Sequence, residues 1–351
     1  MTKIFFNVGL LMVIAIALLS CSRLVRPTKT VRKPSGNGTN GNIVHKFGYD
    51  TSNAFKGTAV KNVVYSNSIA DYKGTNQQLG LDIYKPPNAQ GKKFPAILLV
   101  HGGSFIGGNK KGLESTCSKL ANNGYVAISI DYRLGWGFVS KATTTCNDTI
   151  KLKQAMYRSV QDTHAALRYL AKHADEYNID TNWIFVGGQS AGAITALTTA
   201  YLKDKDVNAF FPEDLVQKLG PLDKGENDAD AAFSFKGVIS MWGAFVNPEL
   251  ITSETALPTI FFQGEKDKAV PFFSRPFTPC TNASLVYGTS PLYNRLKALG
   301  ETAIAHVDPQ GGHGVFEENF RVINILCFLN NVRQGIKKKV YLSGIQYSCD
   351  K

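Results

Sequence analysis

One serine lies in a glycine-rich turn whose flanking segments suit a nucleophile. Residues 188–192 have the sequence Gly-Gln-Ser-Ala-Gly, after an apolar run at 183–187 that predicts a buried strand. The small, mostly apolar residues at 193–200 predict a buried helix after the turn. Glycines without a Cβ allow a strained turn and close packing of strand on helix. The free N–H groups and dipole of the helix N-terminus would point at the serine oxygen. The pattern predicts that Ser190 is the nucleophile of an acyl-transfer reaction.

A second glycine-rich segment could stabilise the negative charge that acyl transfer develops on oxygen. The apolar run 95–100 predicts a strand that leads into His101-Gly102-Gly103-Ser104. Backbone N–H groups after a strand can donate to an oxyanion if no side chain blocks the approach. We expect His101 to shape this loop and not to transfer protons; an ordinary strand-to-helix turn is the alternative. The predicted oxyanion-hole residues are Gly102, Gly103, Ser104 and Ala191.

A general base and its orienting acid are predicted downstream of the serine. Serine is a poor nucleophile at its free pKa, so it needs a base that titrates near neutral pH. His313 fits this role because it lies between glycines after a predicted strand. Asp267, in the loop after the run 258–263, is the candidate that orients the imidazole. Glu265 is the nearest competitor, and we interpret it as a solvated loop charge.

The other histidines lie in sequence contexts that favour structural or solvated roles. His306 alternates with apolar residues, His164 and His173 lie in helical patterns, and His45 lies in a linker. No histidine pair has the spacing of a metalloprotease site. We therefore predict no catalytic metal and no cofactor.

Four aromatic residues are candidates for the wall of an acyl or aromatic pocket. They lie near the oxyanion segment, in the glycine-rich loop 134–138, or after the predicted strand 238–242. Core packing is the more common fate of such side chains and remains the alternative. These candidates are Phe105, Trp136, Trp242 and Phe245.

The pattern of apolar runs predicts a single α/β domain built on a mostly parallel sheet. The predicted strands are 95–100, 125–131, 183–187, 238–242, 258–263 and 302–307. Longer helical patterns separate them, as βαβ crossovers require. Runs at 59–65 and 79–84 predict an antiparallel start to the sheet. The segment 203–236 interrupts the alternation and is either a cap near the active-site mouth or a surface excursion.

Together these motifs resemble the α/β-hydrolases of the carboxylesterase and lipase type, close to the hormone-sensitive-lipase-like bacterial esterases. The resemblance extends from about residue 59 to about 334. The matching segments are His101-Gly102-Gly103 with Phe105, 107–110, 131–134, Gln161-Asp162 with 165–168, the serine turn, Gly264…Asp267…Val270-Pro271 and Gly312-His313. The resemblance implies an α/β-hydrolase fold, in which a mostly parallel central sheet is flanked by helices. It also implies ester hydrolysis, and the order Ser190, Asp267, His313 is the order of that fold's triad.

The same resemblance implies an ion pair between Arg133 and Asp162 that fixes a strand-end loop.

Three positions of this sequence depart from the usual pattern of the family. Ser104 replaces the usual third glycine of the oxyanion loop, which leaves the donor pair open. Gln263 replaces the usual histidine before the acid-loop glycine, and we do not expect it to contact the chemistry. Ala193 replaces a glycine usual in prolyl-oligopeptidase-like peptidases and favours an esterase.

The N-terminus predicts export. Lys3 precedes the apolar stretch 4–19. This stretch is too short and too poorly flanked to predict a membrane span. It ends at Leu-Leu-Ser-Cys, which resembles a bacterial lipoprotein box, although Leu19 also leaves plain signal-peptidase cleavage open. We predict a signal peptide at 1–20, lipid attachment at Cys21, a basic and Gly/Asn-rich tether at 21–45 and a catalytic domain at 46–351. The predicted protein is thus membrane-anchored, or else secreted.

Charge and cysteine content agree with this interpretation. The formal net charge is +12. Nine of the basic residues lie outside the main domain pattern, and the net charge without them is +3. They are Lys3, Arg23, Arg26, Lys29, Arg32, Lys33, Lys337, Lys338 and Lys339. A core so weakly basic gives no support for nucleic-acid binding.

Five cysteines remain if Cys21 carries a lipid, so at least one is unpaired. We predict Cys327 as the buried thiol, with Cys117–Cys146 and Cys280–Cys349 as trial pairs.

The sequence therefore predicts a serine carboxylesterase acting on small or polymeric esters outside the cytoplasm. Aromatic polyester, feruloyl-ester and acetyl-carbohydrate hydrolysis remain open as substrate classes. Two other functions stay as alternatives: a serine peptidase, and a hydrolase-like binding protein without catalysis.

Overall fold

Nine strands form one central sheet in a computed structural model of the chain. The structure describes residues 46–70, 73–136, 147–211, 213–223, 233–276 and 284–350. Along the sheet the strand order is β1-β2-β4-β3-β5-β6-β7-β10-β11. Their bounds are β1 Thr58–Ala70, β2 Asn76–Lys85, β3 Phe94–Val100, β4 Val126–Ile130, β5 Ile179–Gln189, β6 Phe235–Met241, β7 Thr259–Gly264, β10 Ala303–Asp308 and β11 Lys339–Ser343. From β4 to β11 all neighbours in this order are parallel, and β2 joins β1 and β4 antiparallel.

Helices cover both faces of the sheet. The helices are α1 Glu114–Asn122, α2 Asn147–Lys172, α3 Ala191–Tyr201, α4 Glu213–Leu219, α5 Thr289–Ala298 and α6 Glu318–Arg333. Two apolar clusters, one on each face, fill the space between sheet and helices. The inner parallel strands are buried on both faces, which explains why β3 is a continuous apolar run in the sequence. The α/β-hydrolase fold predicted from the sequence is confirmed.

Two features of the sheet were absent from the sequence prediction. A short hairpin pairs β8 (Ser274–Pro276) with β9 (Leu285–Tyr287) outside the main sheet. The edge strand β11 begins at the last of three consecutive lysines and is largely exposed, so its sequence lacks an apolar run. It pairs in parallel with β10.

Described residues of the interrupting segment 203–236 pack against α2. A 3₁₀ turn at Asp204–Ala209 precedes α4, and Phe211 lies edge-on to Tyr157 of α2 at 5.3 Å. The side-chain amide of Gln161 donates to backbone carbonyls at residues 219–221. Residues 212 and 224–232 lie outside the described part. The described part of the segment is therefore anchored to α2, while a capping role remains a prediction.

The predicted ion pair between Arg133 and Asp162 is present and buried. The carboxylate of Asp162 accepts from the Arg133 backbone N–H at 2.7 Å and from Nε at 2.8 Å. Their side chains are 6% and 1% exposed. Loss of one partner from such a pair leaves a buried charge uncompensated, at a cost of about 3–5 kcal/mol. The pair holds the segment after β4 against α2, so its role is structural.

The predicted cysteine pairing is wrong. Cys327 of α6 forms a disulfide with Cys349, with 5.4 Å between their Cα atoms, so neither the Cys327 thiol nor a Cys280–Cys349 bond is present. The C-terminal turn docks on α6 because Ser348 donates through its N–H and its hydroxyl to the Asn324 side chain. That docking, invisible in local sequence, brings Cys349 to Cys327.

Among the cysteines that the structure describes, Cys117 of α1 is free and buried, so a Cys117–Cys146 bond is also ruled out. Burial raises the pKa of the Cys117 thiol well above its usual value. Cys21, Cys146 and Cys280 lie outside the described residues.

Within the described ranges, no helix has the length and apolar character needed to cross a membrane.

Candidate active site

Ser190 lies at a strained turn between β5 and α3. Its φ of 53° falls in the left-handed region that a non-glycine residue seldom adopts, and its N–H donates to the Met241 carbonyl at 2.9 Å. A Cβ on Gly188 would lie 2.4 Å from the Gly192 backbone, and a Cβ on Gly192 would lie 2.0 Å from the Val100 carbonyl. Only glycine fits at either position. The turn thus holds Ser190 at the helix N-terminus, as the sequence predicted.

The structure brings Ser190, His313 and Asp267 into one hydrogen-bonded line. His313 Nε2 is 2.8 Å from Ser190 Oγ, and His313 Nδ1 is 2.8 Å from Asp267 Oδ2. The Asp267 side chain is fully buried, whereas that of His313 is 32% exposed. The imidazole can therefore accept the serine proton on one nitrogen while the carboxylate fixes the other. Substrate can also reach the imidazole from solvent.

Asp267 is fixed by its own loop. Its Oδ1 accepts from the backbone N–H groups of Ala269 at 2.8 Å and Val270 at 2.9 Å. These bonds leave Oδ2 directed to the imidazole. Glu265, the competing acid, is exposed and accepts from the Tyr341 hydroxyl at 3.1 Å. Geometry therefore separates the two carboxylates clearly.

Gln263 supports the acid loop in a way that the sequence did not indicate. Its buried amide nitrogen donates to the carbonyls of Val270 at 3.0 Å and Pro271 at 3.1 Å, and lies 3.5 Å from Asp267 Oδ2. Its amide oxygen accepts from the Thr289 hydroxyl at 2.7 Å. The prediction that Gln263 stands apart from the chemistry missed this contact with the acid. The partners lie up to 26 residues away, so no local pattern could reveal them.

The segment after β3 presents backbone N–H groups beside Ser190. Gly103 has a φ of 120°, and a Cβ there would lie 2.0 Å from the Gly107 carbonyl. Ser104 follows with a φ of 56°, and its carbonyl accepts from Trp136 Nε1 at 2.8 Å. A Cβ on Gly102 would meet the Ser190 Cβ at 3.3 Å, which shows how closely this loop approaches the serine. Within the described residues, no group accepts from the N–H of Gly103, Ser104 or Ala191. Their role in an oxyanion hole remains a prediction.

His101 lies at the base of this loop with its ring stacked on Tyr132 at 4.4 Å. Its Nδ1 is 2.6 Å from the Gly102 carbonyl, and burial lowers the pKa of the imidazole. A buried neutral ring bonded to its own loop agrees with a role in loop shape. His306, stacked on Phe262 in the sheet, has its pKa lowered to about 3 by burial.

The four predicted pocket residues are all largely buried. Phe105 and Phe245 are each 1% exposed, and Phe245 packs against Tyr201. Trp136 and Trp242 are 8% and 7% exposed. Trp242 lies edge-on to the His313 ring at 6.1 Å, so it is the aromatic residue most directly tied to the site. Contact between these four side chains and substrate remains a prediction.

Residues that could bind a metal do not cluster in the described ranges. No group of three or more His, Cys, Asp or Glu side chains with suitable geometry occurs there.

The fold of the chain is that of the α/β-hydrolases. Residues 81–245 match the BD-FAE family, a segment that includes Ser190 and the predicted oxyanion loop. The chain is 28% identical over 238 residues to an acetyl esterase of Salmonella paratyphi B and 29% identical over 239 residues to that of Salmonella schwarzengrund. Each alignment covers 65% of this chain and 64% of the relative, so the chain spans just under two thirds of these relatives' length.

Solved esterase structures share the fold. The apo form of esterase 2 from Thermogutta terrifontis superimposes with a TM-score of 0.54 at 19% identity, covering 81% of this chain and 96% of that one. Its form phosphoramylated by tabun has a TM-score of 0.55 at 21% identity, covering 79% and 95%. These relatives in sequence and in structure are thus named as esterases.

Proposed function

We propose that this chain is a serine carboxylesterase in which Ser190, His313 and Asp267 form the catalytic triad. The observation that carries the proposal is the pair of 2.8 Å contacts through which His313 joins Ser190 Oγ to Asp267 Oδ2. The acetyl esterases among its relatives in sequence support the same reaction class. A peptidase and a non-catalytic binding protein have no comparable observation in their favour.

Acylation follows from this arrangement. Ser190 Oγ attacks the ester carbonyl carbon while His313 Nε2 takes the hydroxyl proton, and the carbonyl π electrons move onto oxygen. The N–H groups of Ala191 and of Gly103 or Ser104 donate to that oxyanion. Asp267 stabilises the imidazolium through Nδ1–H. The tetrahedral intermediate then collapses, and His313 returns the proton to the departing alcohol, which leaves an acyl-Ser190 ester.

Deacylation repeats the sequence with water as the nucleophile. His313 Nε2 removes a proton from water as its oxygen attacks the acyl carbon. Collapse of the second tetrahedral intermediate breaks the bond to Ser190 Oγ, which recovers the proton from His313. The products are one carboxylic acid and one alcohol for each water consumed, and the enzyme is regenerated without a cofactor.

We propose short acyl esters as the substrate class, with acetyl-carbohydrate, feruloyl and aromatic polyester substrates as further candidates. Curated relatives carry the name acetyl esterase, and the fold neighbour from Thermogutta terrifontis has forms described as propionate-bound and butyrate-bound. Trp136 and Trp242 are largely buried, so these two side chains offer little exposed apolar surface to a long acyl chain.

A comparison of acyl lengths tests this proposal. The protein starting at residue 46 is assayed with p-nitrophenyl acetate, butyrate and octanoate. We expect kcat/KM for acetate or butyrate to exceed that for octanoate by about tenfold or more, since one ill-fitting methylene costs roughly 1–3 kcal/mol. A preference for octanoate would reject the short-acyl class. Absence of turnover of all three by folded protein, together with absence of turnover of feruloyl and acetylated xylo-oligosaccharide esters, would reject the esterase.

We also propose that the enzyme acts outside the cytoplasm, anchored by a lipid on Cys21. The lipobox-like Leu-Leu-Ser-Cys sequence and the basic tether behind it support this proposal. In a bacterial host, we expect the full chain to incorporate labelled palmitate and to partition with membranes. Cys21→Ser should abolish both. Retention of the label by Cys21→Ser would contradict lipidation at this residue.

A further inference from the structure

The Trp242 ring lies against both a positive charge and the imidazole of His313. The guanidinium carbon of Arg321, on α6, is 5.1 Å from the centre of the Trp242 ring. The His313 ring centre is 6.1 Å from the Trp242 ring centre, at an interplanar angle of 67°. Trp242 is 7% exposed, and its φ of 46° places it in the left-handed region just after β6. The surroundings therefore hold this indole in a fixed position beside the catalytic base.

Arg321 also contacts the loop that carries His313. Its Nη1 donates to the carbonyl of Phe316, a residue with a φ of 65° between His313 and the start of α6. Phe316 in turn stacks on Phe320 at 4.9 Å. The Arg321 guanidinium thus contacts both the Trp242 ring, which lies beside the imidazole, and the segment that follows His313.

The charge of Arg321 has no carboxylate partner in the part of the chain that the structure describes. No carboxylate there lies within 4.0 Å of its guanidinium nitrogens. Glu318, one turn earlier on α6, is held instead by Lys119 at 2.5 Å and by the hydroxyls of Ser115 and Thr116. Burial lowers the pKa of the Arg321 guanidinium, but arginine stays protonated in proteins. The site therefore keeps a positive charge that Glu318 does not pair with.

Resting on the proposed triad, we propose that Arg321 is a positioning residue that orients His313 through Trp242 and Phe316 and supplies a positive charge behind the imidazole. The guanidinium cannot be more than about 11 Å from the imidazole centre, given the two ring distances. Planar stacking on an aromatic face together with hydrogen-bond donation suits arginine better than lysine.

Other charged groups lie around His313 and act on its imidazole together with Arg321. Asp267 contacts Nδ1 directly and favours the imidazolium. Asp308 at the end of β10 and Glu317 before α6 add negative charge on the segments that flank the histidine loop. Lys266 of the acid loop contacts Gln310. Arg321 acts against these carboxylates, because a nearby positive charge disfavours the imidazolium.

Substitutions at Arg321 separate orientation from charge. Arg321→Met removes both contacts and the charge, Arg321→Lys retains the charge, and Arg333→Met removes the same charge from the far end of α6. We expect Arg321→Met to raise the His313 pKa by on the order of half a pH unit and to lower kcat about threefold or more with KM little changed. Arg321→Lys should keep the parent pKa but share the loss in kcat. Arg333→Met should match the parent in both.

Two readouts distinguish failure of this proposal from failure of the esterase. The imidazole pKa is measured by NMR titration, with the His313 signals assigned by their loss in His313→Asn, so this measurement needs no substrate. The pH profile of kcat/KM supplies the second readout. An unchanged NMR titration and pH profile in folded Arg321→Met would overturn the proposal even if esters are hydrolysed. A shifted NMR titration in a protein that hydrolyses no ester would keep the electrostatic coupling and reject the esterase.

Discussion

Replacing Ser190 by alanine is expected to lower kcat for a short-chain ester by on the order of 10⁴-fold or more, with little change in stability. The hydroxyl is the only atom of this side chain that can form the acyl-enzyme, and the residual rate comes from binding and oxyanion donors alone. Steady-state hydrolysis of p-nitrophenyl acetate measures the effect. Thermal unfolding of the variant checks that the strained turn before α3 still forms.

A second serine provides the matched control. Ser253 is exposed on a turn between β6 and β7, and Ser253→Ala should retain parent activity. Equal losses in Ser190→Ala and Ser253→Ala would point to nonspecific damage. Parent-like hydrolysis by Ser190→Ala would remove the nucleophile assignment altogether.

Asp267→Asn is expected to lower kcat by about 10³–10⁴-fold while KM stays within a few-fold of the parent. The asparagine oxygen can still accept from the N–H groups of Ala269 and Val270, so the loop keeps its shape. An amide nitrogen would then face His313 Nδ1, which favours the wrong tautomer of the imidazole and cannot stabilise its cation. The kcat of the variant therefore isolates the charge at this position.

Glu265 tests whether the effect belongs to Asp267 or to any acid of this loop. Glu265 is exposed and contacts Tyr341 rather than the imidazole. Glu265→Gln should lower kcat by less than about threefold, as expected for a solvated charge. A large loss in Glu265→Gln combined with near-parent activity in Asp267→Asn would reverse the assignment of the two carboxylates.

Local sequence signals were sufficient for the turn and loops that carry the triad candidates. Ser190 and His313 each lie among glycines at the end of a strand, and strand ends of a parallel sheet meet at one edge. The continuous apolar run of β3 indicated a parallel strand buried on both faces. The order Ser190, Asp267, His313, which is that of the α/β-hydrolase triad, then predicted which side chains would meet.

Contacts that depend on distant packing could not be predicted in this way. Gln263 bonds Thr289 across 26 residues, and Arg321 reaches the His313 loop only through the folding of α6. Cys327 meets Cys349 because the C-terminal turn docks on α6. The edge strand β11 lacks an apolar run because it exposes most of its side chains. Each of these depends on side chains that meet only in the finished fold.

Identification of the residue that a phosphate ester modifies covalently tests the central claim most directly. The parent and Ser190→Ala are treated with paraoxon, a phosphate ester that a catalytic serine attacks with release of p-nitrophenol, and the modified peptide is located by mass spectrometry. The account predicts one diethylphosphoryl group per chain, carried by Ser190, loss of esterase activity in parallel, and no adduct in Ser190→Ala. An adduct on another residue that tracks the loss of activity, or full inhibition with Ser190 unmodified, would contradict it.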